Sequence, residues 1–312
     1  MVLIGVDIGG TKCAVTRGDE SGAVLEKIHF ETTDVDGTLK NIENAVESLG
    51  ECDAIGISCG GPLDSEKGVI LSPPNLPGWD DIHIVDELKN KFGVPVFLQN
   101  DADACALAEW QFGAGKGAEN MIFCTFGTGL GAGLILNGKL YTGCCNMAGE
   151  IGHIRLSEYG PVGYGKSGSF EGFCSGGGIA QIGMTIAREM IQKGEKPSFC
   201  ESLSELGSIT AKKIAQSAKE GNADAKEVYA ICGKMLGKGL TVLIDILNPE
   251  KIVLGSIFAR SNELLTEEMY KVLKKECLAS SLERCEIVSA KLGESLGDVA
   301  ALSVATNGLK RG

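Results

Sequence analysis

The 312-residue sequence has no run of 18 or more apolar residues, so a membrane-spanning helix is not expected. It has no basic stripe: 29 Lys and Arg stand against 41 Asp and Glu, a formal charge of −12. Nucleic acid is therefore not an expected partner. No basic leader precedes the first apolar stretch, and Asp7 interrupts that stretch, so no signal peptide is expected and the chain reads as cytoplasmic. Among its 12 cysteines there is no C-x-x-C. Most lie singly in apolar runs (Cys13, Cys52, Cys105, Cys124, Cys232) and read as reduced core thiols. Cys144 and Cys145 are the one odd pair, read as small apolar residues beside a site. Two of the three histidines, His29 and His83, have no motif partners and read as structural.

What the sequence does have is length for two domains and 44 glycines, clustered at the ends of apolar runs. Glycine there implies tight turns or a backbone that approaches a ligand closely. Two such segments resemble each other. LIGVDIGGTKCAVTR and MIFCTFGTGLGAGLILNGKLY are each a strand, a Gly/Thr turn and a second strand. The second continues through Asn137-Gly138, a strong hairpin signal. Gly127, Gly129 and Ala132 match G-x-G-x-x-A, but that dinucleotide motif needs a helix after it. LILNGKLY predicts a hairpin, so the match is discounted.

Elsewhere the pattern alternates. NIENAVESLG, VDELKNKFG and DADACALAEWQF read as helices, the last with Asn100 or Asp101 as its cap. DAIGISCGGPLD and VPVFLQND read as strands. Residues 112–120 are Gly-rich and charged and are taken as a domain boundary. Beyond them, GGGIAQIGMTIAREMIQ, ITAKKIAQSAKEG, DAKEVYAICGKMLGKGLTVLIDILN and GDVAALSVATNGL read as helices, PEKIVLGSI and ERCEIVSAKLG as strands. The expected fold is α/β, with two lobes, each a mixed sheet between helix layers, and a cleft between them. The expected lobes are 1–115, with a C-terminal helix at about 297–312 packing back on it, and 116–296.

Bare turns present backbone N–H groups to anions. Gly9, Gly10 and Thr11 with adjacent Lys12 form one, and Gly127, Thr128 and Gly129 the other; together they suit a triphosphate. Asp7, just before the first turn, suits Mg²⁺ held through water. Asp101, where a strand becomes a helix, suits a base that takes a hydroxyl proton. Glu150 and His153, three apart, offer a sugar both acceptors and donors.

DIGGTK, NDADACALAE, FGTGLGAGLILNGKLY, GEIGH and SGGGI, in that order and at matching spacing, resemble the ROK (repressor, open reading frame, kinase) family. The likeness runs from Ile4 to the final LGDVAALSVA. These are sugar kinases of the actin-like, hexokinase-type superfamily. The resemblance implies ATP and Mg²⁺ as cofactors, Asp101 as catalytic base, and Asn100, Glu150, His153 and Glu171 as sugar ligands. Gly61, in the GGP turn, and Asn75, in PPNLPGW, become further edges of the sugar pocket, and Gly255-Ser256 stands where the family often has Gly-Gly beside adenine. It implies phosphorylation of a hexose, most simply glucose at its 6-hydroxyl. The family also handles N-acetylmannosamine, N-acetylglucosamine, allose and fructose. It tends to homodimers, and it includes sugar-sensing regulators with an N-terminal DNA-binding segment, for which a strand starting by residue 2 leaves no room.

The sequence departs from the family in one segment. Where most members have C-x-C-G-x-x-G-C-x-E, three cysteines that join the histidine on structural zinc, this chain reads VGYGKSGSFE. The cysteine positions hold Val162, Tyr164 and Ser169, none a structural zinc ligand. No zinc is therefore expected. Residues 156–172 must then be ordered by Tyr159, Tyr164 and Phe170, or by sugar. Cys174 with Cys144 and Cys145 is the weaker alternative thiolate set.

Overall fold

Val2–Ile8 is nearly all apolar and buried on both faces, the pattern of a central strand. In the computed structural model, which describes residues 1–311, it is β1. There follow β2 (Lys12–Asp19), β3 (Val24–Glu31), α1 (Val35–Leu49), β4 (Ala54–Cys59), β5 (Leu63–Asp64), β6 (Val69–Ile70), α2 (Ile84–Phe92), β7 (Val96–Asn100) and α3 (Asp101–Gln111). Then come β8 (Met121–Cys124), β9 (Ala132–Leu136), β10 (Lys139–Tyr141), β11 (Val162–Gly163), β12 (Lys166–Ser167), α4 (Phe170–Phe173), α5 (Gly176–Gln192), α6 (Ala211–Lys219) and α7 (Ala223–Leu247). The chain ends with β13 (Lys251–Leu254), α8 (Ser256–Glu276), α9 (Ala279–Leu282), β14 (Glu286–Ser289) and α10 (Leu296–Arg311). The helix expected over 297–312 thus starts at Leu296, and Gly312 lies outside the described residues.

The strands form two five-stranded sheets of one topology, β3-β2-β1-β4-β7 and β10-β9-β8-β13-β14. In the first, β1–β2 and β2–β3 are antiparallel, while β1–β4 and β4–β7 are parallel. In the second, β9–β10 is antiparallel and β13–β14 parallel. The repeat read from the two glycine turns is therefore a repeat of topology. Asn137 and Gly138 both adopt positive φ, 52° and 68°, as a two-residue hairpin turn requires. A strand follows the G-x-G-x-x-A match, so its dismissal holds.

The chain divides into two compact units. One holds Met1–Phe123, Ala132–Gly149 and the segment from Lys291; the other holds Cys124–Gly131 and Glu150–Ala290. In the first, the core gathers Ile4, Val6, Ile55, Ile57 and Leu98 with Ile42, Val46 and Trp79. Helix α10 lies directly on β1 and β4. A Cβ on Gly5 would sit 2.9 Å from Ala301 Cβ, and one on Gly56 2.3 Å from Ala301 O, so only glycine permits this approach. In the second, α7 packs on α8 just as closely: a Cβ on Gly237 would meet Met269 O at 2.6 Å.

Helix α8 is absent from the sequence reading, which ended a strand at Gly255 and left the following run unassigned. Ser261, at φ −145°, interrupts α8 with a kink, and a kink shifts the apolar period on which helix recognition rests. Among the described residues no helix is long and apolar enough to cross a membrane.

Candidate active site

Parallel strands β1, β4 and β7 end together, Ile8 beside Cys59 and Cys59 beside Asn100. The carboxyl ends of parallel strands are the ligand-binding edge of an α/β sheet. Asp7 lies one residue back from that edge and hydrogen-bonds Ser58. Asp101 lies one residue past it and opens α3. The Ala102 N–H donates to both Asn100 Oδ1 (2.9 Å) and Asp101 Oδ1 (2.8 Å), so both side chains cap the helix. With no loop between β7 and α3, capping fixes the two side chains that the sequence assigned to base and sugar ligand. Gly61 is brought to Asn100: a Cβ there would lie 3.1 Å from Asn100 Nδ2.

The Gly9–Thr11 turn is tied from within and from β3's end. Gly9 N–H donates to Lys12 O (3.1 Å), Thr32 N–H to Thr11 O (3.0 Å) and the Thr32 hydroxyl to Gly9 O (2.6 Å). Lys12 and Thr11 are exposed. Gly10 touches Asn75: a Cβ would fall 2.4 Å from Asn75 O and 2.9 Å from its Cβ. The turn is therefore bare partly to seat the PPNLPGW loop, a reason the sequence reading, which invoked phosphate alone, did not contain.

Asp7 is pushed from the ordinary 3.8 up to about 6, first by burial, then by the charges of Asp101 and Asp298, against the opposing Ser58 hydrogen bond and Lys27. Asp101 is also raised; surrounding protein crowds it even though its edge is open to solvent, and the N–H of Ala102 pulls the other way. Asp298 was missed by sequence reasoning. It lies in the first turn of α10, pairs with Lys27 (2.8 Å) and accepts from Thr16 Oγ1 (3.3 Å). The acid at the start of the GDVAALSVA helix was its only signal.

A carboxyl raised from 3.8 to about 6 is a liability to the folded state of about 3 kcal/mol. Its sign is definite: stability from this group is highest below its unfolded value and falls as pH rises toward 6. The carboxylates of Asp7, Asp101 and Asp298, with Lys27 as the facing cation, leave this edge net negative, and Asp7 supplies oxygen of the kind Mg²⁺ takes. Among the described residues no group of three or more His, Cys, Asp and Glu is disposed to enclose a metal ion, so a cation here would retain much of its own water.

The second set of predicted residues lies in the other unit. The turn after β8 is closed by Thr125 N–H to Gly131 O (3.0 Å) and Gly131 N–H to Thr125 Oγ1 (2.9 Å). Within it Gly127 N–H donates to Gly129 O (3.0 Å), and Gly127 O accepts from Gly176 N–H (2.8 Å) at the start of α5. Gly255 N–H donates to Cys124 O and Ile257 N–H to Phe126 O, each at 2.9 Å. The structure thus gathers Gly127, Thr128, Gly129, Gly255 and Ser256, with the N-termini of α5 and α8 arriving at one turn. Such termini carry partial positive charge and favour anions. Ser175 caps α5 by accepting from Gly178 N–H (3.0 Å). A serine followed by three glycines was a legible sign of this bare helix start, though the sequence reading gave SGGGI no role. Ser256 Oγ accepts from Arg260 (2.8 Å).

Glu150 precedes a 3₁₀ turn, Ile151–His153, and both Glu150 and His153 are exposed. Phe170 N–H donates to Ile154 O (2.7 Å), which ties this turn to α4 and its Glu171. The three cysteine-replacing residues make other bonds. Val162 N–H and O both engage the Gln181 amide, each at 2.9 Å. Tyr164 meets the His153 ring edge-on, centroids 5.2 Å apart. Ser169, fully buried, caps α4 through Gly172 N–H (3.0 Å). Phe170 is buried as expected, but Tyr159 is 76% exposed and Tyr164 70%, so of the three aromatic residues expected to order the loop only Phe170 is packed in a core. Cys174 is buried against Cys232, whereas Cys144 and Cys145 are exposed. A cavity of about 940 Å³ beside Trp110, Phe112, Lys139 and Lys310 contains none of the predicted site residues.

Twin sheets of this order, each with a bare turn after its first strand, define an α/β protein of the actin-like class. The chain belongs to the ROK family, whose model matches residues 3–307. It is 30% identical over 313 residues to a glucokinase of Thermotoga maritima, covering 97% of this chain and 96% of that protein. To a glucokinase of Halalkalibacterium halodurans it is 32% identical over 307 residues, covering 94% and 92%. Among solved structures, a ROK family glucokinase from Streptomyces griseus in complex with glucose and AMPPNP matches with a TM-score of 0.78 at 30% identity, covering 100% of both chains.

Proposed function

We propose that this chain is an ATP-dependent hexose kinase that phosphorylates glucose at its 6-hydroxyl. The observation that carries the reading is the shared sheet edge: Asp7 and Asp101 lie at the ends of the parallel strands β1 and β7, on either side of β4, close enough for the Asp101 charge to raise Asp7, with a bare turn beside them. Asp101 takes the proton of the 6-hydroxyl at its carboxylate. The freed oxygen bonds to the γ-phosphorus as the bond from that phosphorus to the β–γ bridging oxygen breaks. Asn100, Glu150, His153, Glu171, Gly61 and Asn75 are assigned to the sugar. Gly9, Gly10, Thr11, Lys12, Gly127, Thr128, Gly129, Gly255 and Ser256 are assigned to the nucleotide, and Asp7 to Mg²⁺ through water. That ion, when bound, neutralises phosphate charge. ADP release, coupled to a spectrophotometric readout, is expected to be fastest with glucose in a panel of hexoses and N-acetylhexosamines. A higher kcat/KM for an N-acetylhexosamine, allose or fructose would reassign the substrate. Sugar binding without turnover would favour a sugar-sensing regulator.

The same proposal leaves out zinc. Gln181, the His153–Tyr164 contact and the Ser169 cap support the loop by bonds that need no metal. Total metal analysis of the purified protein is expected to find well under one zinc per chain, and a stoichiometric amount would reverse this reading.

A further inference from the structure

Glu171 lies in the first turn of α4, yet its Oε2 accepts the backbone N–H of Leu130, at 3.0 Å. Leu130 directly follows the Gly127–Gly129 turn. The glycines around Glu171 show how tightly this contact is built. A Cβ on Gly129 would lie 2.8 Å from that same Oε2. One on Gly152, inside GEIGH, would lie 2.3 Å from Leu130 O and 3.1 Å from Glu171 Cβ. One on Gly163, in the loop of the missing cysteines, would lie 2.9 Å from Glu171 Cβ and 2.5 Å from Gly172 N. Three chain segments each give up a side chain where Glu171 packs. These segments are the nucleotide turn, the 3₁₀ turn of Glu150 and His153, and the 156–172 loop.

We propose that Glu171 is a positioning residue that couples sugar binding to nucleotide binding. The inference rests on the kinase reading above and goes beyond it. One oxygen of the carboxylate is committed to Leu130, and the other is available to a sugar hydroxyl. Engaging the sugar therefore holds Glu171 in the rotamer that holds the Leu130 N–H. That in turn fixes the adjacent Gly127–Gly129 turn in the geometry that receives phosphate. Linkage makes the effect reciprocal: each ligand tightens the other by the same factor.

Calorimetric titration of glucose, with and without saturating AMPPNP, reads the coupling directly. The unsubstituted protein is expected to bind glucose at least about 5-fold more tightly with AMPPNP present, the lower end of ordinary coupling. In Glu171→Gln the carbonyl oxygen that stays with the Leu130 N–H leaves an NH2 toward the sugar, a donor where the hydroxyl needs an acceptor, and the ratio is expected to fall close to one. Gly129→Ala displaces Oε2, so it is expected to weaken glucose binding about 10-fold in the absence of any nucleotide, although it alters the nucleotide turn. The proposal is overturned by an uncoupled unsubstituted protein, by full coupling in Glu171→Gln, or by unaltered glucose affinity in a folded Gly129→Ala. Should Gly129→Ala fail to fold, the Glu171→Gln ratio decides alone. If the unsubstituted protein binds none of the panel sugars, the kinase reading fails, and that result is distinct from every outcome above.

Discussion

Asp101→Asn is expected to lower kcat for hexose phosphorylation by roughly 10²- to 10⁴-fold, the contribution of a well-placed general base. The amide is isosteric, and its Oδ1 can still accept from Ala102 N–H, the bond that holds the aspartate at 2.8 Å. The cap and the start of α3 therefore survive. Glucose affinity is expected to fall far less than kcat, by no more than about 10-fold, because with Oδ1 kept on Ala102 the amide NH2 facing the hydroxyl can donate to its oxygen but no longer accept its proton. Rapid-quench measurement of the phosphoryl-transfer step with calorimetric glucose binding separates the two. A variant that keeps its full transfer rate would remove Asp101 from the chemistry.

The pH profile carries the same argument. Crowding by protein raises Asp101, and a base works only when deprotonated. Activity is therefore expected to fall as pH drops through a value above the ordinary carboxylate range near 4. If Asp7 holds magnesium as proposed, its rise to about 6 adds to this acid limb, because protonation removes the charge that would attract the ion.

Glu109→Leu is expected to destabilise the protein by about 3 kcal/mol or more. Glu109 is fully buried. Its Oε1 accepts the N–H groups of Lys291 and Leu292, each at 2.9 Å, and its Oε2 that of Ala114 at 2.7 Å. Leucine fills the volume but takes the acceptor from the Lys291 and Leu292 N–H groups and one bond from Ala114, at about 1–3 kcal/mol for each donor that stays buried unpaired. The effect reaches beyond α3. Lys291 and Leu292 lead into α10, which carries Asp298, and Gly113 has no side chain because a Cβ would land 2.0 Å from Glu109 Oε2. Urea unfolding should show a lower midpoint at an unchanged slope. A loss under about 1 kcal/mol would mean that those N–H groups find water instead. Glu109→Gln should fall between, since its amide keeps one oxygen but turns a donor toward another donor.

Much of this molecule was legible without coordinates. The strand–turn–strand repeat, the Asn137-Gly138 hairpin, the cap at Asn100 and Asp101, and most helices follow from alternation, turn residues and cap spacing within a few neighbours. Where the local signal was broken, the reading failed: the kink at Ser261 hid α8. Tyr159 was assigned to packing because it is aromatic, but a side chain's surroundings are not written in its own neighbourhood.

The sequence alone determined the two bare turns, the acid at the end of β1, the acid at the start of α3 and the presence of Val162, Tyr164 and Ser169 in the loop after GEIGH, because each depends on residue type at short spacing. Tertiary structure alone decided that Gly10 is bare for Asn75, that Gly129, Gly152 and Gly163 are bare for Glu171, and that Asp298 and Lys27 join Asp7. The reason is physical. A missing side chain or a shifted proton affinity is a property of whatever packs against it, and those partners come from distant parts of the chain that only the completed fold brings into contact.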